Sequence, residues 1–178
     1  MVRTEQPIDE DEPMSEQLIN PLSQEEIDAI EDEARHLPER RSAAIEALRI
    51  VQEKRGWVSD ESLAAVARQL DMSADALDAI ATFYNLIFRE PVGRHVVMVC
   101  DSVSCYILGC DRLKRALEAR LGVSTGGTTA DGRFTLLPIV CLGACDRAPV
   151  LMIDEQLYGN VDPDALDEVL DEVLDQHD

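Results

Sequence analysis

The hydrophobic pattern changes at Pro91 and Gly93, and this limits what can be built on either side. Before that point apolar residues recur at helical spacing throughout; after it short continuous runs alternate with helical segments. Ser23, with Glu26 three residues on, is a capping box opening a polar helix to about Leu37, where Pro38 stops it. A second helix is expected over residues 41–54, with Ile45, Leu48 and Val51 on one face and Gly56 at its end. Ser59 and Ser73 can cap two more. The third carries Leu63, Val66, Ala67 and Leu70; the fourth carries Leu77, Ile80, Ala81, Tyr84 and Phe88. Residues 23–92 therefore read as a small helical bundle.

Beyond Gly93, residues 96–100 (VVMVC) read as a buried strand. Residues 111–121 form an amphipathic helix closed by Gly122, and residues 125–132 are turn chemistry. Residues 134–140 read as a second strand, in which Pro138 requires a bulge or a sheet edge. Residues 150–153 form a third run, with 157–159 as a hairpin return. Asp162 and Pro163 open a last helix, with Leu166, Val169, Leu170 and Val173 as its buried stripe. The order β-α-β-β-α predicts an α/β (α+β) layer over residues 93–178.

Charge is segregated. The chain of 178 residues has a formal net charge of −20, and 46% of it is apolar. Residues 1–33 hold 12 acids and one base, and residues 161–178 hold 8 acids and no base, so the middle is close to neutral. The expectation is an acidic flexible arm over residues 1–22 and a folded body without the basic footprint that nucleic acid requires. No apolar stretch approaches the ~20 residues of a membrane span, and the acidic start is not a secretory signal. A cytoplasmic setting follows, in which five cysteines are not expected to form structural disulfides.

Four of the five cysteines make two pairs. Cys100 and Cys105 form C-x4-C, Cys141 and Cys145 form C-x3-C, and 35 residues separate the pairs. Each pair follows a predicted strand, so each sits on a loop at a strand end. Four thiolates on two loops suit a [2Fe–2S] cluster or a structural zinc. The absence of a C-x2-C knuckle favours the wider iron–sulfur core and also speaks against a thioredoxin-type redox disulfide. Gly109 and Gly143 would let backbone N–H groups approach the sulfurs. Ser102 and Ser104 are either donors to sulfur or plain turn residues. Cys110 reads as packing, and His36, His95 and His177 as surface or cap residues. There is no G-x-G-x-x-G, no Walker A motif and no catalytic triad spacing, so the chain should exchange electrons with a partner protein.

Two stretches carry a family resemblance: QEKRGWVSDESLAAVARQLDMSADALDAIATFYNLIFREPVGRHVVMVCDSVSCYILGC (52–110) and DGRFTLLPIVCLGACDRAPVLMIDEQLYGNVDP (131–163). The chain resembles the 24-kDa [2Fe–2S] subunits of respiratory complex I, the bacterial NADH:quinone oxidoreductase E subunits, over roughly residues 23–174. The resemblance implies a helical bundle followed by a thioredoxin-like ferredoxin domain, with Cys100, Cys105, Cys141 and Cys145 binding one [2Fe–2S] cluster. It implies an electron-transfer subunit that binds no substrate and is no enzyme alone. Its cluster would take single electrons from FMN, and FMN and NADH would sit on a partner subunit. Other peripheral-arm subunits would be further partners, holding the chain at the cytoplasmic face of the bacterial inner membrane. Related ferredoxin subunits of NAD-reducing hydrogenases and NAD-dependent formate dehydrogenases are the alternative. Cys110 and the arm before Ser23 lie outside the family pattern. The bundle would help in docking through Trp57, Phe83, Tyr84 and Phe88, although burial preferences assign these aromatics to the core.

Overall fold

The computed structural model describes residues 21–176, so most of the acidic arm and His177 lie outside the described residues. Four helices come first: α1 Gln24–Arg35, α2 Ala44–Arg55, α3 Asp60–Gln69 and α4 Ala74–Phe83. The capping box forms, with Ser23 N–H donating to Glu26 Oε2 at 2.7 Å and Glu26 N–H to Ser23 Oγ at 3.2 Å. Ser59 and Ser73 accept the expected N-terminal bonds, and Gly56 closes α2 at φ +80°, in the left-handed region where glycine is unstrained. Ile30, Leu48, Val51, Val58, Val66 and Leu77 are fully buried and pack with many alanines, which bring the helices close together. Leu22, assigned to the arm by its sequence, is buried in this core.

The fourth helix is shorter than its apolar spacing predicts. It ends at Phe83, and Tyr84 is extended. Phe88 lies in a non-helical segment whose backbone bonds have been taken by α2 and its neighbours. Phe88 N–H donates to Gln52 Oε1 at 2.6 Å, Gln52 Nε2 donates to Leu86 O at 2.9 Å, and Val58 N–H donates to Phe88 O at 2.8 Å. These tertiary bonds replace the helical ones, as backbone pairing requires. The expectation of core burial also fails for Phe83 and Tyr84, which are 79% and 43% exposed. Trp57 and Phe88 are half-buried.

The second half is a four-stranded mixed sheet flanked by helices. Its strands are β1 His95–Cys100, β2 Phe134–Ile139, β3 Leu151–Ile153 and β4 Gln156–Tyr158, in the order β2-β1-β3-β4. β1 and β2 are parallel, whereas β3 runs antiparallel to both β1 and β4. β1 is central and buried along its whole length, which explains its unbroken apolar run. Pro138 falls on β2, the edge strand, opposite Val99. The helices are α5 Val103–Ile107, α6 Cys110–Leu121 and α7 Leu166–Gln176. Leu113 and Leu117 of α6 and Leu166, Leu170 and Val173 of α7 cover Val97, Val99, Leu136, Leu151 and Ile153. The opposite face carries Val96, Met98, Cys100 and Val150, with Cys105 and Cys110. Phe88 and Val92 pack there too, joining the two halves.

His95 is not the surface or cap residue its isolation in sequence implies. It is buried at the start of β1, with Nδ1 2.8 Å from Asp154 Oδ2. Asp154, at φ +52° in the β3–β4 turn, also accepts from Val96 N–H through Oδ1 at 2.8 Å. The hairpin supplies this partner from 59 residues away. His36 is exposed at the end of α1, with Nδ1 2.6 Å from Asp32 O.

Candidate metal centre

Parallel pairing makes β1 and β2 end at the same edge of the sheet. Cys100, the last residue of β1, lies opposite Ile139, the last of β2, and Asp101 N–H donates to Ile139 O at 3.0 Å. The loops that leave there carry Cys105 on one side and Cys141 and Cys145 on the other. The chain after Asp101 turns back at once into α5, which places Cys105 on its buried side. Cys100 and Cys105 are both buried and pack in one cluster with Val150. Cys141 is exposed, accepting from Gly143 N–H at 3.3 Å, and Cys145, also exposed, opens a single 3-10 turn, Cys145–Arg147.

The four predicted ligands thus fall into an anchored pair and a surface pair. Among the described residues, no three His, Cys, Asp or Glu side chains converge closely enough to hold a metal ion. Burial, with Cys100 alongside, pushes the Cys105 thiol up to about 11. Burial also raises the Cys110 thiol, and the charges of Asp111 and Asp101 add to that. Thiols in this state need a cation's field before they ionise and ligate. The donor set fits an iron–sulfur core: two thiols on each of two adjacent loops and soft sulfur donors throughout. Both described histidines are committed elsewhere.

Gly109 and Gly143 sit at φ +100° and +76°, and nothing lies within 4 Å of a Cβ added at either. Left-handed backbone calls for glycine at both positions, and at Gly143 the N–H also reaches the Cys141 sulfur. The backbone carbonyls of Ser102 and Ser104 accept from Tyr106 N–H at 2.8 Å and Leu108 N–H at 3.1 Å as α5 forms. Cys110 is buried at the start of α6, as its packing role requires.

One feature of the site was not legible in the pattern. Val103, Tyr106, Ile107 and Leu108 around Cys105, and Val140 beside Cys141, are 57–75% exposed. They form an apolar collar at the cysteine edge. Apolar residues packed between two cysteines on a loop were the only sign of it in the sequence.

The thioredoxin-like [2Fe–2S] ferredoxin model matches residues 30–174. The NADH-quinone oxidoreductase E subunit of Pseudomonas aeruginosa is 49% identical over 150 residues, covering 84% of this chain and 90% of that one. The E subunit from Escherichia coli K12 is 50% identical with the same coverage, and that of Buchnera aphidicola from Acyrthosiphon pisum is 46% identical, covering 93% of its own length. Among solved structures, an NAD+-reducing [NiFe]-hydrogenase in the air-oxidized state matches with a TM-score of 0.64 and 24% identity. That match covers 76% of this chain and 23% of the hydrogenase chain, and it speaks for the fold alone. With the family model spanning bundle and sheet alike, the chain belongs to the thioredoxin-like [2Fe–2S] ferredoxin family, together with the E subunits of NADH-quinone oxidoreductase that it resembles.

Proposed function

We propose that this chain is the electron-carrying E subunit of an NADH-quinone oxidoreductase, and that Cys100, Cys105, Cys141 and Cys145 hold its [2Fe–2S] cluster. The observation that carries this reading is the pairing of β1 with β2, which sends two cysteine-bearing loops out of one sheet edge. When bound, the cluster supplies storage for one electron. Cys100 and Cys105 are fixed in the core and set its position; Cys141 and Cys145 close over it from the surface. The Gly143 N–H donates a hydrogen bond to the Cys141 sulfur at 3.3 Å.

NADH and FMN belong to a partner subunit in this reading, in keeping with the missing nucleotide motifs. The apolar collar of Val103, Tyr106, Ile107, Leu108 and Val140 is the surface on which that partner docks. An apolar patch of this kind marks an interaction site, and drying the contact brings donor and acceptor close without trapped water. Phe83, Tyr84 and Leu86, exposed at the end of α4, extend the docking surface onto the bundle, residues 23–92. No helix among the described residues is long and apolar enough to cross a membrane, and attachment to the cytoplasmic face of the inner membrane would run through the other subunits. Identity of 49–50% to E subunits, against a shared fold with the hydrogenase chain, favours this reading over a hydrogenase subunit.

The test is purification from the native host with iron, labile sulfide and EPR measured, and the accompanying chains identified. Two irons and two sulfides per chain, with a flavin-bearing NADH-oxidising partner, are expected. A colourless zinc protein would overturn the cluster. Ile107→Asp with Tyr106→Ser should release the partner and leave the iron content intact; retention of the partner would remove the collar from the interface.

A further inference from the structure

We propose that Gly159 is a positioning residue for Cys145: having no side chain, it lets the segment after β4 back onto the turn that presents this cysteine, and so fixes where the turn stands. This rests on the cluster assignment above. Cys145, Asp146 and Arg147 form an exposed 3-10 turn between Ala144 and Ala148, which are buried. Arg147 N–H closes the turn by donating to Ala144 O at 3.0 Å. The segment after β4 holds it from behind: Asn160 N–H donates to Arg147 O at 2.5 Å, and Val161 N–H to Pro149 O at 3.1 Å. One residue beyond Pro149, Val150 O accepts from Cys100 N–H at 3.1 Å, which ties the same loop to the buried pair of cysteines.

A Cβ added at Gly159 would lie 2.6 Å from Arg147 Cβ, 3.2 Å from Arg147 O and 3.3 Å from Arg147 Cδ. The first distance is far inside the roughly 3.5–4.0 Å at which two carbons rest. Gly159 is not among the glycines with left-handed backbone, so the space and not the backbone conformation calls for glycine there. Arg147 Cβ is fixed to its own backbone, and no rotamer change carries it away; one of the two segments has to move. The segment after β4 is held on both sides of Gly159, by the pairing of Tyr158 with Leu151 and by burial of Val161 in the core that α7 covers. The exposed turn is the side that gives, and Cys145 belongs to that turn.

The experiment uses the full chain with its cluster, after iron and labile sulfide have been measured. Three readouts are taken: the EPR spectrum of the reduced chain, the rate at which visible absorption is lost in excess EDTA, and the thermal melt. Gly159→Ala should change the EPR g-values and speed cluster loss about tenfold, the lower end of what disturbing the groups that orient metal ligands costs. Arg147→Gly removes the Cβ that is struck, so Gly159→Ala with Arg147→Gly should return both readouts to those of Arg147→Gly alone. Gly159→Ala with Arg147→Ala keeps that Cβ and should not be rescued. Gly132→Ala is the stability control: its φ of +70° strains an added side chain that touches nothing, beside the start of β2 and away from the cysteine edge. It should lower the melting temperature and leave the g-values and the rate of cluster loss as in wild type. A Gly159→Ala chain with the wild-type spectrum and rate overturns the inference. So does a defect that Arg147→Gly leaves in place, a chain that stays unfolded in that double variant included, or one that Arg147→Ala rescues equally well. A wild-type chain that takes up no iron or sulfide fails differently: it overturns the cluster assignment, and the inference with it.

Discussion

The two halves of this chain are held together by different means. The bundle is a single core of leucine, valine and alanine, stitched across its helices by arginines. Arg55 reaches from α2 to Glu26 with Nε–Oε1 at 2.7 Å and Nη2–Oε2 at 2.6 Å, and also bonds Ser62 and Pro21 O. Arg40 ties Glu31 to the end of α3, and Arg89 ties Asp60 and Asp78 to Val58 O. Among its described residues, the ferredoxin half has no arginine stitching of this kind in its interior; a buried polar tie instead joins Asp154 to His95 and Val96 N–H. Its sheet lies between two apolar layers, and the ion pairs Arg112–Asp164 and Arg120–Asp167 lie on its surface, where pairs of this kind add little. One of its layers ends in sulfur. The bundle should therefore be sensitive to acid, and the ferredoxin half to loss of its metal.

The largest effect expected is at the cysteines. Serine at Cys100, Cys105, Cys141 or Cys145 should abolish or badly distort the cluster, whereas Cys110→Ser should keep it. Iron content and EPR decide this, and hydrogen exchange should show the bundle amides unchanged in every case. A full EPR signal in any of the first four variants breaks the ligand assignment.

Next is removal of α7 by truncation at Asp162. Leu166, Leu170 and Val173 are buried, and Val169 packs against them from a half-buried position. At about 1.5–3 kcal/mol for each fully buried side chain, the loss is several kcal/mol. That is comparable with the ~5–15 kcal/mol of a whole domain. Equal thermal stability of intact and truncated chains would show that α7 contributes no packing.

Smaller, and confined to the bundle, is the effect of Glu26. The Arg55 guanidinium holds its carboxyl below the usual carboxylate range, against the opposing effect of burial. A pKa lower in the folded than in the unfolded chain gives stability that is present above the unfolded value, about 4.3. It is lost as the pH falls through the lower folded value. Bundle stability should thus be level from neutral pH to about 5 and decline below about 4.3. Glu26→Gln should cost roughly 2 kcal/mol, below the 3–5 of a fully buried pair, because Arg55 is 32% exposed. Urea melts at pH 7 and pH 4 would detect both effects. A variant that keeps the full acid sensitivity would move its origin elsewhere, with the half-buried Glu31–Arg40 pair next in line.

The smallest effect is at the start of the chain. Removal of residues 1–20 should leave cluster content, assembly and melting temperature unchanged. Removal through residue 22 should lower bundle stability, because Leu22 is buried and Pro21 O accepts from Arg55 at 2.6 Å. Identical melts for the two deletions would mean that this junction contributes nothing.

What the sequence determined by itself was local. Caps at Ser23, Ser59 and Ser73, the close of α2 at Gly56 and the buried run of β1 all follow from interactions within a few residues, and the structure has each of them. Pro138 could be confined to a bulge or an edge because a missing N–H is a property of the residue alone, and the sheet order made it the edge. The cysteine spacing showed two loops, and the family resemblance named what they would hold. Tertiary structure decided everything that depends on a distant partner. His95 is buried because a hairpin brings Asp154 to it. Helix α4 stops at Phe83 because Gln52 and Val58 take up the backbone that follows. The cysteine loops share one edge because β2 lies parallel to β1, and the collar is exposed because α5 turns its cysteine inward. Periodicity records which residues prefer burial, but the choice among them rests on contacts that form only once the chain has closed on itself.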